Sequence, residues 1–194
     1  MTVSVSHLTE DRRDQALALV ANAFDGKTPR TYFESHQSSD PSWDVSQNLV
    51  IQDDDSIMAH LWLANRTIRY GMGRINVGCI ADVAVDPEHR GKGQAGLLLD
   101  TAIERMCLND QPLSLLSAGT PEVYMSRGWH SIPTSRLEAE FPSGNIEWSG
   151  GHTVRPFEPD DLPNVRRAYD EISADRVGPL ERTDAYWLAM SHWL

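Results

Sequence analysis

The segment Ala81-Asp82-Val83-Ala84-Val85-Asp86-Pro87-Glu88-His89-Arg90-Gly91-Lys92-Gly93-Gln94-Ala95-Gly96-Leu97-Leu98 constrains this chain more than any other. Its apolar run reads as a strand ending at Val85, Asp86-Pro87 turns the chain, and a glycine-rich loop opens directly into a helix. That helix runs from Gly93 to Leu108, with Leu98, Leu99, Ala102, Ile103 and Met106 as its buried stripe. Physically the arrangement is an anion cradle. Glycines let backbone N–H groups approach a ligand, and the helix N-terminus adds partial positive charge. Arg90 and Lys92 are the nearby cations, which suits a pyrophosphate. No Lys-Ser or Lys-Thr pair follows the last glycine, so the loop is not a P-loop. The glycine spacing, and the absence of an opening βαβ pattern, also exclude a dinucleotide fingerprint.

Around this segment the pattern alternates between short strands and helices. Thr2 to Ser6 reads as a strand, Thr9 as an N-cap, Arg12 to Phe24 as a helix, and Thr28 to Trp43 as one or two short helices. Leu49 to Ile51 and Ile57 to Leu63 form a hairpin around the acidic turn Asp53-Asp54-Asp55. Thr67 to Tyr70 and Ile75 to Val85 form another around Gly71-Met72-Gly73. Leu113 to Ser117 follows as a strand, Pro121 to Arg127 as a short helix, and Trp129 to Phe141 as two extended pieces. This order predicts an α+β fold in which a mostly antiparallel sheet gains a helix-connected parallel pair. Pro142 to Gly151 reads as a linker. Beyond it Thr153 to Asp161 echoes Thr2 to Asp11, Leu162 to Ile172 echoes the first helix, and Asp184 to Leu194 is an aromatic-rich helix. Residues 152–194 are therefore a C-terminal helical extension that reads as the start of a second copy.

Charge narrows the partners. With 17 basic against 28 acidic residues the formal charge is −11, which argues against nucleic-acid binding; such a field attracts a cationic partner, and solubility alone is the simpler account of it. Cys79 and Cys107 lie in apolar runs without metal-ligand spacing and read as buried free thiols of a cytoplasmic protein. The N-terminus lacks an apolar signal region, and no apolar stretch approaches the ~18 residues of a membrane span. The histidines show no metal spacing, and Asp53-Asp54-Asp55 lacks a calcium-loop pattern.

Arg90-x-x-Gly93-x-Ala95, following Val83-Ala84-Val85-Asp86-Pro87, resembles motif A of the GCN5-related N-acetyltransferases (GNAT). Val123-Tyr124-Met125-Ser126-Arg127-Gly128-Trp129 resembles the later tyrosine-x-x-x-glycine-aromatic element of that family. The resemblance covers residues 1–141 and implies an α/β/α sandwich whose central sheet holds a splayed parallel pair. It implies acetyl-CoA as co-substrate, no metal, and direct acetyl transfer to the primary amine of a small molecule. Carried over by position, Val83, Ala84, Val85, Arg90, Gly91, Lys92, Gly93, Gln94 and Ala95 bind acetyl-CoA, and Tyr124 is the general acid. Phe24, Asp25, His36 and Asp82 are the candidates for the substrate side. The base stays open between a carboxylate and water. The apparent restart at Thr153 is similar to the Eis-like branch, in which two acetyltransferase-type domains occur in tandem. The rival reading is a degenerate acyl-CoA-binding or oligomerisation module, with the aromatic helix carrying Trp187 and Trp193 as a homo-oligomer contact.

Overall fold

The structure is a computed structural model. It describes residues 4–24, 28–133 and 155–190. The expected linker, the extended piece beyond 133, Asp25 and Trp193 lie outside the described residues.

Three strands open the sheet, β1 (Val5–His7), β2 (Asn48–Gln52) and β3 (Ile57–Tyr70), with helices α1 (Arg13–Ala23) and α2 (Arg30–Ser38) between the first two. The hairpin partner of β3 is β4 (Gly73–Val85), followed by α3 (Gln94–Leu108), β5 (Leu113–Leu115) and α4 (Pro121–Met125). Then come α5 (Leu162–Ser173), β6 (Val177–Leu180) and α6 (Asp184–Met190). Among the described residues six strands share one sheet in the order β1-β2-β3-β4-β5, with β6 on β3. All pairings are antiparallel except β4 with β5. The α+β expectation holds.

The sheet is buried on both sides. Leu49, Ile51, Leu61 and Leu63 pack with Leu98, Leu99, Ala102 and Met106 of α3. Val50, Ile57 and Ala84 pack on the other face with Ala16, Leu17 and Val20 of α1 and Phe33 of α2. A strand sandwiched in this way reads as a continuous apolar run, because both alternating faces need burial. The runs expected at 57–63 and 67–70 are one strand.

β6 was not expected. It pairs Leu180 with Ile68 and Val177 with Tyr70, at the end of β3 that β2 does not reach. Ion pairs Arg69–Asp170 (2.5 Å) and Arg74–Glu181 (2.6 Å) flank this junction. Within the C-terminal segment Trp187 is 2% exposed, edge-on to Tyr169 at 5.4 Å and beneath the Arg182 guanidinium. The cysteine expectation needs correcting: Cys107 is exposed, because it falls on the outer side of α3, and Cys79 is half-buried.

Candidate active site

The parallel pairing of β4 and β5 stops at Cys79 with Leu115. From Ile80 to Val85 β4 keeps β3 on one side, while the β5 side has no strand partner among the described residues. The Asp86 N–H donates to the Met58 carbonyl on β3 (2.9 Å). Strand alternation therefore turns the backbone groups of Val85 the other way, into the splay.

β4 also carries a bulge. Between the pairs His60–Ala84 and Trp62–Ala81, β3 has one residue and β4 has two. Asp82, inside the bulge, has φ 52°, a left-handed conformation rare outside glycine but tolerated by aspartate. Val83 and Val85 pack towards α3, against the same cluster as Tyr124 and Trp129. Ala84 packs towards α1, and Asp82 meets α2 through Gln37, whose Nε2 donates to Asp82 Oδ2 (3.3 Å). The sequence left open which face Asp82 takes; it is the α1–α2 face.

After β4 the Asp86 carboxylate accepts the Glu88 N–H (2.9 Å) and caps a short 3-10 turn, Pro87–His89. Gly93, at φ 80°, is the N-cap of α3, a left-handed position that a side chain would strain. A Cβ built at Gly91 or Gly93 would meet no atom within 4 Å, so the loop backbone is open to a ligand. The two cations are folded onto this loop. Arg90 Nε donates to the Val85 carbonyl (3.2 Å) and Lys92 Nζ to the Glu88 carbonyl (2.9 Å). Of the helix's opening residues, Gln94 turns its side chain inward towards Met58, so what it presents at the helix start is its backbone N–H.

Tyr124 lies on α4, edge-on to Trp129 at 6.2 Å, beside a cavity of about 500 Å³ that Leu115, Leu116 and Ser117 also line. Burial pushes its phenol above the ordinary value. A further cavity of about 520 Å³ lies at the far end of the β3–β4 hairpin, against the C-terminal segment, and none of the expected site residues line it.

On the α1–α2 face an aromatic row leads to Asp82. Phe24 lies 5.3 Å from Phe33, Tyr32 lies 5.9 Å from His36, and His36 stands edge-on to Trp62 at 5.3 Å. His36 Nδ1 is buried without a partner among the described residues. Burial raises the Asp82 carboxyl above the usual carboxylate range, against the opposing pull of His60 and His36.

His60, Asn48, Gln37 and Trp62 were not singled out from sequence. His60 is 1% exposed in the middle of β3, with Nδ1 donating to the Asp82 carbonyl (2.9 Å) and Nε2 3.0 Å from Asn48 Oδ1. Burial lowers its pKa, against the Asp82 carbonyl and carboxylate. The available signal was a histidine inside the apolar run Ile57 to Ala64, since a buried polar ring needs partners. Among the described residues no group of three His, Cys, Asp or Glu could hold a metal ion, and no helix is long and apolar enough to cross a membrane.

Residues 4–132 match the model of the acetyltransferase (GNAT) domain. The chain belongs to the GNAT family. Acyl transfer is the chemistry of this family, as the motif resemblance implied. An aminoglycoside 2'-N-acetyltransferase from Mycolicibacterium fortuitum is 29% identical over 143 residues, covering 70% of this chain and 68% of that relative. A GCN5-related N-acetyltransferase from Anabaena variabilis superposes with TM-score 0.70 at 19% identity, over 97% of this chain and 47% of that one. One from Kribbella flavida gives TM-score 0.57 at 24% identity over 66% of this chain and 32% of that one. The chain thus spans a third to a half of the length of these GNAT structures, whose likeness establishes the fold.

Proposed function

We propose that this GNAT chain uses acetyl-CoA and transfers its acetyl group directly to a primary amine of a cationic small molecule. The observation that carries the reading is the free edge of β4, Ile80 to Val85, running straight into a glycine loop and the N-terminus of α3. Such an edge offers β-like hydrogen bonds to an extended amide-bearing arm. The open amides at Gly91 and Gly93, the first turn of α3, and Arg90 and Lys92 suit the pyrophosphate at the arm's end. Acetyl-CoA, when bound, would supply the activated acyl group.

The remaining steps fall to the chain. Arg90 would exchange the Val85 carbonyl for phosphate, freeing that edge. An N–H of Val83 or Val85 would polarise the acyl carbonyl. Tyr124 would protonate the leaving thiolate, its raised pKa keeping the proton available at neutral pH. Asp82 and His36, with Phe24 nearby, would meet the amine. The formal charge of −11 and the aminoglycoside-acetylating relative favour a multiply charged acceptor.

We also propose that residues 1–141 form the GNAT domain, 142–151 a linker and 152–194 the start of a second GNAT-like domain, as in the Eis-like branch. In support, a 3-10 turn leads into a helix at Glu10–Arg12 and α1, and again at Pro159–Asp161 and α5. The Anabaena match, about twice as long, spans both segments. Trp187 is already covered by Tyr169 and Arg182, which weakens the oligomerisation reading.

The test is thiol release from acetyl-CoA across a panel of aminoglycosides, polyamines and monoamines. Turnover concentrated on the multiply charged amines is expected. Acetyl-CoA binding without turnover on any amine would overturn the enzymatic reading in favour of a binding module.

A further inference from the structure

We propose that His60 is a positioning residue for acyl transfer: bridging Asn48 on β2 to the Asp82 carbonyl on β4, it locks the bulge that aims the Val83 and Val85 backbone into the splay, and it does so as an imidazolium. The proposal rests on the acetyltransferase reading for its purpose, but its chemistry comes from the sheet itself.

A left-handed aspartate in mid-strand persists only where its surroundings over-determine it. His60 supplies that constraint from inside the sheet. Its Nδ1 lies 2.9 Å from the Asp82 carbonyl, an acceptor only, so that nitrogen carries a hydrogen. Its Nε2 lies 3.0 Å from Asn48 Oδ1. The other end of Asn48 fixes which atom faces the ring. Asn48 Nδ2 donates to the Val45 carbonyl (3.1 Å) and reaches the Asp44 carbonyl (3.4 Å). Turning the amide over would set its oxygen against two carbonyl oxygens. Both ring nitrogens of His60 therefore face acceptors, and a neutral imidazole has a single N–H. Only the imidazolium satisfies both.

The charge has a counterpart. Burial disfavours an imidazolium at this depth and lowers the His60 pKa, and the Asp82 carbonyl and carboxylate pull the other way. Reciprocally, a charged His60 pulls the Asp82 carboxyl down, against the burial that raises it. His36 on α2 is the other titratable group facing Asp82, and neutral Gln37 donates to it. One side chain thus bears on two properties of the site: the direction of the β4 amides, and the charge of the Asp82 carboxyl that would meet the amine.

Ring-nitrogen NMR of histidine-labelled wild-type protein at pH 7 tests the charge directly. Two protonated nitrogens on His60 are expected, and a single protonated nitrogen overturns the imidazolium. This readout needs no turnover, so it stands apart from thiol release from acetyl-CoA by the wild type, which tests the acetyltransferase reading. Two variants separate the roles, each made with and without His36→Gln to remove the other histidine facing Asp82. His60→Gln keeps a donor for the Asp82 carbonyl but no charge, so acetyl-CoA affinity stays within about threefold of wild type. In it the acid limb of kcat/KM for the amine moves to higher pH, because losing a nearby cation raises the Asp82 pKa. His60→Phe shifts that limb too and also weakens acetyl-CoA binding by about tenfold or more. A folded His60→Phe protein with wild-type affinity and an unmoved acid limb overturns the proposal. Should His60→Phe fail to fold, the ring signature and His60→Gln still decide it.

Discussion

Tyr124 sits on a helix of five residues, held edge-on to Trp129. A half-buried phenol at the wall of a cavity is the placement that the proposed general-acid role requires. Removing that hydroxyl while keeping the ring should lower kcat by ~10² to 10⁴-fold, the usual worth of a positioned general acid. Acetyl-CoA affinity should hardly change in Tyr124→Phe. The pH profile gives an independent check. Burial raises the phenol's pKa, so its protonated form persists to higher pH than in a free tyrosine. The alkaline limb of kcat that belongs to this group therefore lies at or above pH ~10. Steady-state kinetics on Tyr124→Phe that match wild type would remove Tyr124 from the chemistry.

The helices α3 and α4 are coupled by Arg127, which lies across Gly96. Its Nε donates to the Gly96 carbonyl (3.2 Å) and to Asp100 Oδ1 (2.8 Å). A Cβ at position 96 would stand 1.9 Å from Arg127 Nη2 and so displace the guanidinium. In stability the two effects of Gly96→Ala nearly cancel. A glycine replaced by alanine within a helix gains up to ~1 kcal/mol, and a partly exposed ion pair is worth ~0–1 kcal/mol. The folding midpoint in denaturant should thus stay within about 1 kcal/mol of wild type. Turnover should fall on the order of tenfold, because α4 and Tyr124 lose their tether. Unchanged kcat would show that Arg127 does not position α4.

What could be read from the sequence at this scale follows locality. The strand, glycine loop and helix from Ala81 to Leu108 were legible because glycine placement and apolar periodicity are local properties. So was the hairpin around Gly71. The bulge at Asp82 was not, since it exists only as a one-residue offset between β4 and β3. β6 was hidden for a similar reason. Val177-Gly178-Pro179-Leu180 is a poor strand former by composition, and its pairing with β3 is a tertiary gain. His60 was passed over because its partners, Asn48 and Asp82, come from two other strands.

For the molecule as a whole, the fold and the charge pull in different directions. Residues 151–194 carry 8 acids and 5 bases, so most of the net −11 belongs to the part that holds the cradle. The overall field opposes an anionic ligand, and affinity for one has to come from Arg90, Lys92 and the α3 N-terminus acting at contact range. The C-terminal segment docks by adding β6 to the far end of β3, away from the splayed end of β4 in its described strand pairing. The central claim is that this end holds acetyl-CoA, and thermal unfolding with and without acetyl-CoA tests it most directly. At about 100 times Kd, a ligand bound only by the folded state should raise Tm by roughly 5–10 °C for a chain of this size. At the same concentration Arg90→Ala should lose most of that shift. No shift in the wild type at millimolar acetyl-CoA would contradict the account.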